Sequence, residues 1–141
     1  MEIVYRENAL TAWQVQQFQQ KMGWTVEPLE QWQRAIQNSC CTVAAYDGGE
    51  LVAMGRLLGD GALYWYLNDV FVLTAYQGQG IGRQVVTRLL EHIQREGLPG
   101  TEVSVALFSA QGKEGFYEKM GFQKRPGPEA GHGMEQTLRI G

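Results

Sequence analysis

Residues 70–83 hold the strongest structural signal in this chain: a strand-like run passes into a glycine-rich loop and then directly into an amphipathic helix. Residues 70–76 read Val-Phe-Val-Leu-Thr-Ala-Tyr, and residues 77–83 read Gln-Gly-Gln-Gly-Ile-Gly-Arg. The alternating glycines let the backbone approach a ligand closely, because no Cβ stands in the way. The free amides of the first helical turn carry partial positive charge. The sequence therefore predicts a site for a phosphate or pyrophosphate group at this helix start.

The spacing of these glycines excludes the two most familiar phosphate-binding loops. A dinucleotide fingerprint, Gly-x-Gly-x-x-Gly, would place its third glycine where Arg83 stands. A nucleoside-triphosphate loop would follow Gly82 with Lys and then Ser or Thr, but Arg83 and Gln84 occupy those positions. The pattern that remains is Gln-x-x-Gly-x-Gly, from Gln77 to Gly82. A glycine-rich turn without a ligand and a nucleotide-binding loop of unusual spacing stay open as alternatives.

A second motif lies downstream, where residues 115–122 read Gly-Phe-Tyr-Glu-Lys-Met-Gly-Phe. In this order and separation, the two motifs resemble the acetyl-CoA-binding elements of the GNAT superfamily of N-acetyltransferases. The resemblance covers residues 51–122 well and the flanks only loosely. It implies an α+β fold with a central, mostly antiparallel twisted sheet that splays at the cofactor site and is flanked by helices.

The order of predicted elements is β-α-α-β-β-β-α-β-α-β-β, which is the topology of that superfamily. Thr11 is expected to cap the first helix and Gly23 to end it, and Pro28 suits the first turn of the second. Strands are expected over 2–6, 41–46, 51–58, 62–73 and 103–107, with a further strand starting at Phe122 and a last one over 134–140. The long helix after the loop should bury one apolar face, formed by Ile81, Val85, Val86, Leu89, Leu90 and Ile93.

Length and composition fit one enzyme-sized domain over residues 1–141. No apolar run is long enough to span a bilayer, and we expect no signal peptide. The two cysteines, Cys40 and Cys41, are adjacent, so we expect them to be reduced and the protein to be cytoplasmic. The net charge is −3 and no Lys/Arg cluster is evident, which argues against nucleic acid as a partner. No Cys/His spacing suggests a metal, and a homodimer is possible.

The resemblance implies which residues would hold acetyl-CoA. Backbone groups of Phe71 and Val72 would bond the pantetheine arm. Relatives often carry an Asn that touches pantetheine at the position of Ala110; here that contact would be missing or replaced by backbone of Ser109 or Gly112. The amides of the loop would hold the pyrophosphate, and these belong to Gln77, Gly78, Gln79, Gly80, Ile81, Gly82 and Arg83. Arg83 would either add charge beside the adenosine phosphates or be solvated.

The resemblance also implies an acid but leaves the base open. Tyr117 stands at the tyrosine of the second motif and would protonate or orient the departing sulfur; the other interpretation is that it only packs against the cofactor. The base positions of the superfamily align with Tyr66 and Asn68, and neither side chain is a strong base. Asp69 is the nearest carboxylate, and a charge in this strand needs a purpose or a partner. Its functional interpretation is contact with the amine and proton relay; its structural one is a salt bridge or a bulge.

These residues together predict an acetyl-CoA-dependent N-acetyltransferase that moves an acetyl group directly to the primary amine of a small cationic acceptor. Trp24, Tyr66, Asn68 and Asp69 would line the acceptor site. A catalytically silent acetyl-CoA-binding module and a protein-amine acetyltransferase remain as alternatives.

Overall fold

The computed structural model describes residues 2–141. A short 3-10 turn, Thr74–Tyr76, precedes the glycine-rich loop. In chain order the strands and helices are β1 (Ile3–Glu7), α1 (Ala12–Met22), α2 (Leu29–Gln37), β2 (Cys41–Asp47), β3 (Glu50–Gly59), β4 (Tyr64–Val72), α3 (Ile81–Glu96), β5 (Ser104–Leu107) and α4 (Glu114–Glu118).

The strands form a single five-stranded sheet in the order β1-β2-β3-β4-β5. The first four are antiparallel neighbours, and β5 lies parallel to β4. Residues 41–46 of β2 and 51–57 of β3 are all buried, so both faces of the sheet centre are covered. The prediction of a mostly antiparallel sheet flanked by helices is confirmed.

Helices cover the two faces of this sheet. On one face α3 packs so closely that a Cβ added at Gly55 would lie 2.8 Å from Cγ1 of Val85 and 2.9 Å from Cδ1 of Leu89. On the other face, Phe18 of α1 stacks on Phe71 of β4, with ring centroids 6.1 Å apart. The core therefore fills two layers, one on each side of β2 and β3.

The helix ends follow the local sequence signals. Thr11 caps α1 in a capping box with Gln14, and Gly23 ends the helix with a left-handed φ of 73°. In α3 the predicted apolar face is buried except for Leu90, which is half-buried. In α2, Trp32 is buried, whereas Leu29 is 40% exposed.

The contacts divide the chain into two compact units, Met1–Leu107 and Phe108–Gly141. The first contains the whole sheet with α1, α2 and α3. The second contains α4 and the segment that follows it.

The predicted strands at the C-terminal end are wrong. Within the part of the chain that the structure describes, residues 123–141 contain no strand, and their only ladder contact is an isolated bridge between Gly127 and Ala130. The side chains of Met134, Leu138 and Ile140 are 86%, 71% and 89% exposed. Alternating apolar residues form a strand only where a partner strand and a covered face are available.

Both cysteines are free thiols, as predicted. Cys41 is fully buried at the start of β2, and this burial raises the pKa of its thiol to about 11. Across residues 2–141, none of the helices is both long and apolar enough to cross a bilayer.

Candidate functional site

A bulge in β4 shapes the candidate site. The pairing of β3 with β4 shifts register between Met54 and Arg56, so the single residue Gly55 lies opposite two residues of β4. Asp69 lies at this point with a φ of 52°, a left-handed conformation that is uncommon outside glycine. Its N–H donates to Oδ1 of Asn68 at 2.9 Å. The bulge bends the strand just before the loop and re-aims its side chains.

β4 and β5 are no longer paired beyond the middle of β4. Their parallel pairing ends at Leu67 and Leu107, whereas β4 continues to Val72. Among residues 2–141 no other strand pairs with this side of β4. Residues 68–72 therefore have no partner strand on this side, as the splay implied by the resemblance requires.

The register decides which backbone groups face this open edge. The N–H of Leu73 donates to the carbonyl of Val52 at 2.9 Å, and bonded pairs alternate along an antiparallel ladder. Phe71 therefore turns its backbone groups toward β3, while Val72 turns its own outward. The side-chain amide of Gln77 donates to the Val72 carbonyl at 3.0 Å. Of the two predicted cofactor contacts on β4, this register favours Val72 and not Phe71.

The loop after β4 has the open backbone that its glycines predict. Gly78 and Gly80 have φ values of 77° and 82°, and a Cβ built at either position would meet nothing within 4 Å. The first turn of α3 closes where the N–H of Gln84 donates to the Gly80 carbonyl at 3.1 Å. The amides of residues 81–83 precede that bond and have no partner within the helix. Together they form a concentrated set of donors suited to an anion.

The side chains of Gln79, Ile81 and Arg83 differ in burial and in their contacts. The side-chain amide of Gln79 donates to the Ala75 carbonyl at 3.4 Å, which ties the loop to the preceding 3-10 turn. Arg83 is exposed, and Gly82 is half-buried. Ile81 is 3% exposed, so it anchors the start of α3 in the core below the loop.

Asp69 is paired with a buried arginine. Its Oδ2 lies 2.7 Å from Nε of Arg56, and the two side chains are 17% and 9% exposed. The Nη1 of Arg56 also donates to the Ala35 carbonyl at 3.3 Å and to Oγ of Ser39 at 3.1 Å, and the guanidinium lies 5.4 Å from the ring centroid of Trp32. The pair joins β3, β4 and α2. This arrangement favours the structural interpretation of Asp69.

The predicted acceptor residues lie on the sheet face that carries this ion pair. Trp24 is 40% exposed, and its ring meets that of Phe71 edge-on at 4.7 Å and that of Phe18 at 6.1 Å. Tyr66 and Asn68 are half-buried on β4 and share one face, since alternate residues of a strand do so. The first unit thus places the predicted acceptor residues on one face of the sheet.

Tyr117 belongs to the second unit. It lies in α4, where its ring meets those of Phe116 at 4.9 Å and Phe122 at 6.0 Å in edge-to-face geometry. Burial raises the pKa of its phenol, which further favours the protonated hydroxyl at neutral pH. Gly112 precedes this helix with a φ of 85°, and a Cβ there would meet nothing within 4 Å.

Two site residues escaped the sequence analysis. Arg56 interrupts an otherwise apolar strand, and a buried guanidinium requires an acceptor; that requirement was the available signal. The second residue is Phe18 of α1. Nothing in its spacing indicates that it supports Phe71 and Trp24.

Comparison with known proteins finds acetyltransferases by family model and by sequence similarity. The family model for the acetyltransferase (GNAT) family matches residues 7–122. An uncharacterized N-acetyltransferase, ycf52-like, of Prochlorococcus marinus is 26% identical over 117 residues, which cover 80% of this chain and 63% of that protein. The chloroplastic serotonin N-acetyltransferase 2 of rice, Oryza sativa subsp. japonica, is 30% identical over 110 residues, which cover 75% of this chain and 53% of that protein.

A solved structure matches along nearly the whole chain. A probable acetyltransferase of Staphylococcus aureus superimposes with a TM-score of 0.82 at 25% identity, over 97% of this chain and 100% of that one. The chain nevertheless spans only 63% and 53% of the lengths of the two curated relatives.

Proposed function

The chain belongs to the GNAT family of acetyltransferases, and from this premise we propose that it is an acetyl-CoA-dependent N-acetyltransferase. The observation that carries the proposal is the meeting of two features at one end of β4. An open strand edge at residues 68–72 leads directly into a loop whose amides have no helix partner. The first suits an extended amide-containing arm, and the second suits a pyrophosphate.

We assign the donor contacts to backbone groups. The amides of residues 77–83 would hold the pyrophosphate, and the glycines leave room for it because a Cβ at Gly78 or Gly80 would point into open space. Val72 would pair with the pantetheine arm along the open edge. Backbone at Gly112 is proposed as a further contact, by resemblance alone.

The chemistry requires a neutral amine and an acid for the sulfur. A free alkylamine has a pKa of about 10.4 and must lose a proton before it can attack. The bound donor supplies a thioester carbonyl as the electrophile. We assign the protonation of the departing thiolate to Tyr117, whose phenol retains its proton because burial raises its pKa. Water is the proposed carrier of the amine's proton, since Arg56 already compensates the carboxylate of Asp69.

We propose a small amine with an aromatic or apolar body as the acceptor. Trp24 and Phe71 are partly exposed above the buried ring of Phe18, and they offer stacking contacts. The rice relative is named for serotonin, an arylalkylamine. Because the Arg56–Asp69 pair is neutral overall, selection of the acceptor would rest on ring contacts more than on charge.

We further propose that both units belong to one acetyltransferase domain, since the family match runs across them from residue 7 to residue 122. The free cysteines support a reducing compartment such as the cytoplasm. A homodimer remains a proposal from the sequence.

A panel of amines tests the proposed function. The protein is incubated with acetyl-CoA and each of an arylalkylamine, a polyamine, an amino sugar, an amino acid and a lysine-containing peptide, and thiol release is measured. We expect the highest kcat/KM with the arylalkylamine. Binding of acetyl-CoA without thiol release for any amine would indicate a silent cofactor-binding module. Release with the peptide alone would indicate a protein acetyltransferase.

Tyr117→Phe should lower kcat by roughly 100-fold, because general acid catalysis contributes a factor of that order. The affinity for acetyl-CoA, measured by calorimetry, should change little. Tyr5→Phe is a matched control: burial raises the pKa of that phenol as well, yet Tyr5 lies on β1. A kcat for Tyr117→Phe within about twofold of the parent would reduce Tyr117 to a packing residue.

A further inference from the structure

Three side chains of metal-ligating type meet near the C-terminal end of α3. Glu7 ends β1, Cys41 begins β2, and His92 lies on α3. One ligand atom from each lies within 4.8 Å of the others. Glu7 pairs with Val43, and Cys41 is two residues away on the same strand, so both side chains point to the face that α3 covers.

The surroundings of the cluster form a partly closed site. Cys41 is fully buried, His92 is half-buried, and Glu7 lies at the exposed rim. Trp65 packs against the imidazole of His92, with ring centroids 6.2 Å apart at 78°. The site is therefore held by a rigid strand pair and a helix, with an entrance beside Glu7.

A buried donor next to the cluster has no partner. Trp65 is 3% exposed, and its indole Nε1 has no hydrogen-bond acceptor among the residues described. Buried donors of this kind are rare in folded proteins and call for a water or an ion. A water molecule is one acceptor that would satisfy it.

We propose that Glu7, Cys41 and His92 bind a divalent zinc ion. Thiolate, imidazole and carboxylate are the three ligand types that zinc takes from proteins. Tetrahedral ligands at zinc's usual bond lengths lie about 3.3–3.6 Å from one another. The separations here, within 4.8 Å, must close by roughly 1 Å. Glu7 is the exposed member of the three, so its side chain is the freest to move toward the ion.

Arg95 is the competing partner of this site. Its Nη2 lies 3.2 Å from Oε1 and 3.0 Å from Oε2 of Glu7, on side chains that are 51% and 34% exposed. An exposed ion pair of this kind contributes little to stability. A carboxylate has lone pairs for both partners, so zinc can share Glu7 with the guanidinium.

Zinc would act here as a structural clamp, apart from the proposed acetyl-transfer site. On binding, the Cys41 thiol loses its proton to solvent and its sulfur forms the bond to the metal. His92 lies eleven residues along α3 from Ile81, which is about 16 Å along the helix axis. The clamp would join β1, β2 and α3 without touching the glycine-rich loop.

Zinc stoichiometry in the tag-free full chain tests the proposal. The protein is stripped with a chelator, loaded with zinc chloride, passed through gel filtration and analysed for metal. We expect one zinc per chain, a higher melting temperature in the presence of zinc, and a thiolate-to-metal absorption band when cobalt chloride replaces zinc. His92→Gln should weaken zinc binding by at least 100-fold, beyond the ~10–100-fold typical of losing only a supporting residue.

Two cysteine variants make the assignment specific. Cys41→Ser should lose zinc and the cobalt band. The control is Cys40→Ser, which changes the neighbouring, half-buried thiol and should keep both. If Cys41→Ser does not fold, His92→Gln and Glu7→Gln carry the test, because both positions are more exposed. The proposal would be overturned if the parent chain retained no more zinc than the His92→Gln variant. It would also be overturned if Cys40→Ser lost zinc while Cys41→Ser kept it.

Discussion

Gly80→Val should abolish acetyl-CoA binding in a chain that still folds. Gly80 precedes α3 with a φ of 82°, and its missing Cβ would point into open space beside the free amides. A branched side chain would occupy the volume that the pyrophosphate needs. Hydrogen bonds to charged groups contribute about 1.5–3 kcal/mol each, so the loss of two corresponds to at least ~100-fold in Kd. With a parent Kd in the micromolar range, by analogy with about 1 μM–1 mM for enzyme substrates, calorimetry should detect no binding.

Gly100→Val provides the matched control for backbone strain. Gly100 has a φ of 81°, and a Cβ there would also meet nothing within 4 Å, but it lies in the turn between α3 and β5. A β-branched residue at such a φ costs roughly 1–3 kcal/mol of stability at either position. The melting temperature should therefore fall by a similar amount in both variants, while only Gly80→Val should fail to bind acetyl-CoA. Unchanged affinity in folded Gly80→Val would remove the loop from the binding site.

Asp69→Asn should lower the free energy of unfolding by about 3–5 kcal/mol, because it leaves the Arg56 guanidinium buried without its counter-charge. The ion pair is short, at 2.7 Å, and both side chains are largely buried. Asparagine keeps the shape of the side chain and tolerates the left-handed backbone at this position, so the charge is the main change. Urea denaturation measures the effect, and a fall in melting temperature of roughly 10–20 °C should accompany it.

Two comparisons separate the ion pair from a role in amine binding. The double variant Asp69→Asn with Arg56→Met removes both charges and should recover much of the lost stability. Glu30→Gln, in the exposed i,i+4 pair with Arg34, should change stability by no more than ~0.5 kcal/mol. A fall of about ten- to a hundredfold in kcat/KM for the amine, with stability intact, would restore Asp69 as the group that selects a cationic acceptor.

Features that depend on neighbouring residues were predictable. The capping box of Thr11 with Gln14 forms within one helical turn, and Gly23 supplies the left-handed end of α1. The apolar face of α3 follows from helical spacing alone. The glycine-rich loop is equally local, since Gly78 and Gly80 adopt the positive φ values that glycine permits at little cost.

Features that depend on distant residues were not predictable. The alternation of Met134, Leu138 and Ile140 suggested a strand, yet these side chains remain exposed because no strand pairs with them among the residues described. The backbone directions of Phe71 and Val72 depend on the register with β3. That register shifts at the bulge, and nothing in the spacing of either strand places the shift.

Asp69 marks the boundary between the two kinds of information. Its sequence context showed that a carboxylate in an apolar strand needs a purpose or a partner, and the glycine spacing beside it predicted the ligand class of the neighbouring loop. Which partner Asp69 has is a matter of folding, because Arg56 comes within 2.7 Å only when β3 and β4 pair across the bulge. The meeting of Glu7, Cys41 and His92 arises in the same way. Backbone preferences act over a few residues, whereas side-chain partnerships are selected by the packing of strands and helices that lie far apart in the chain.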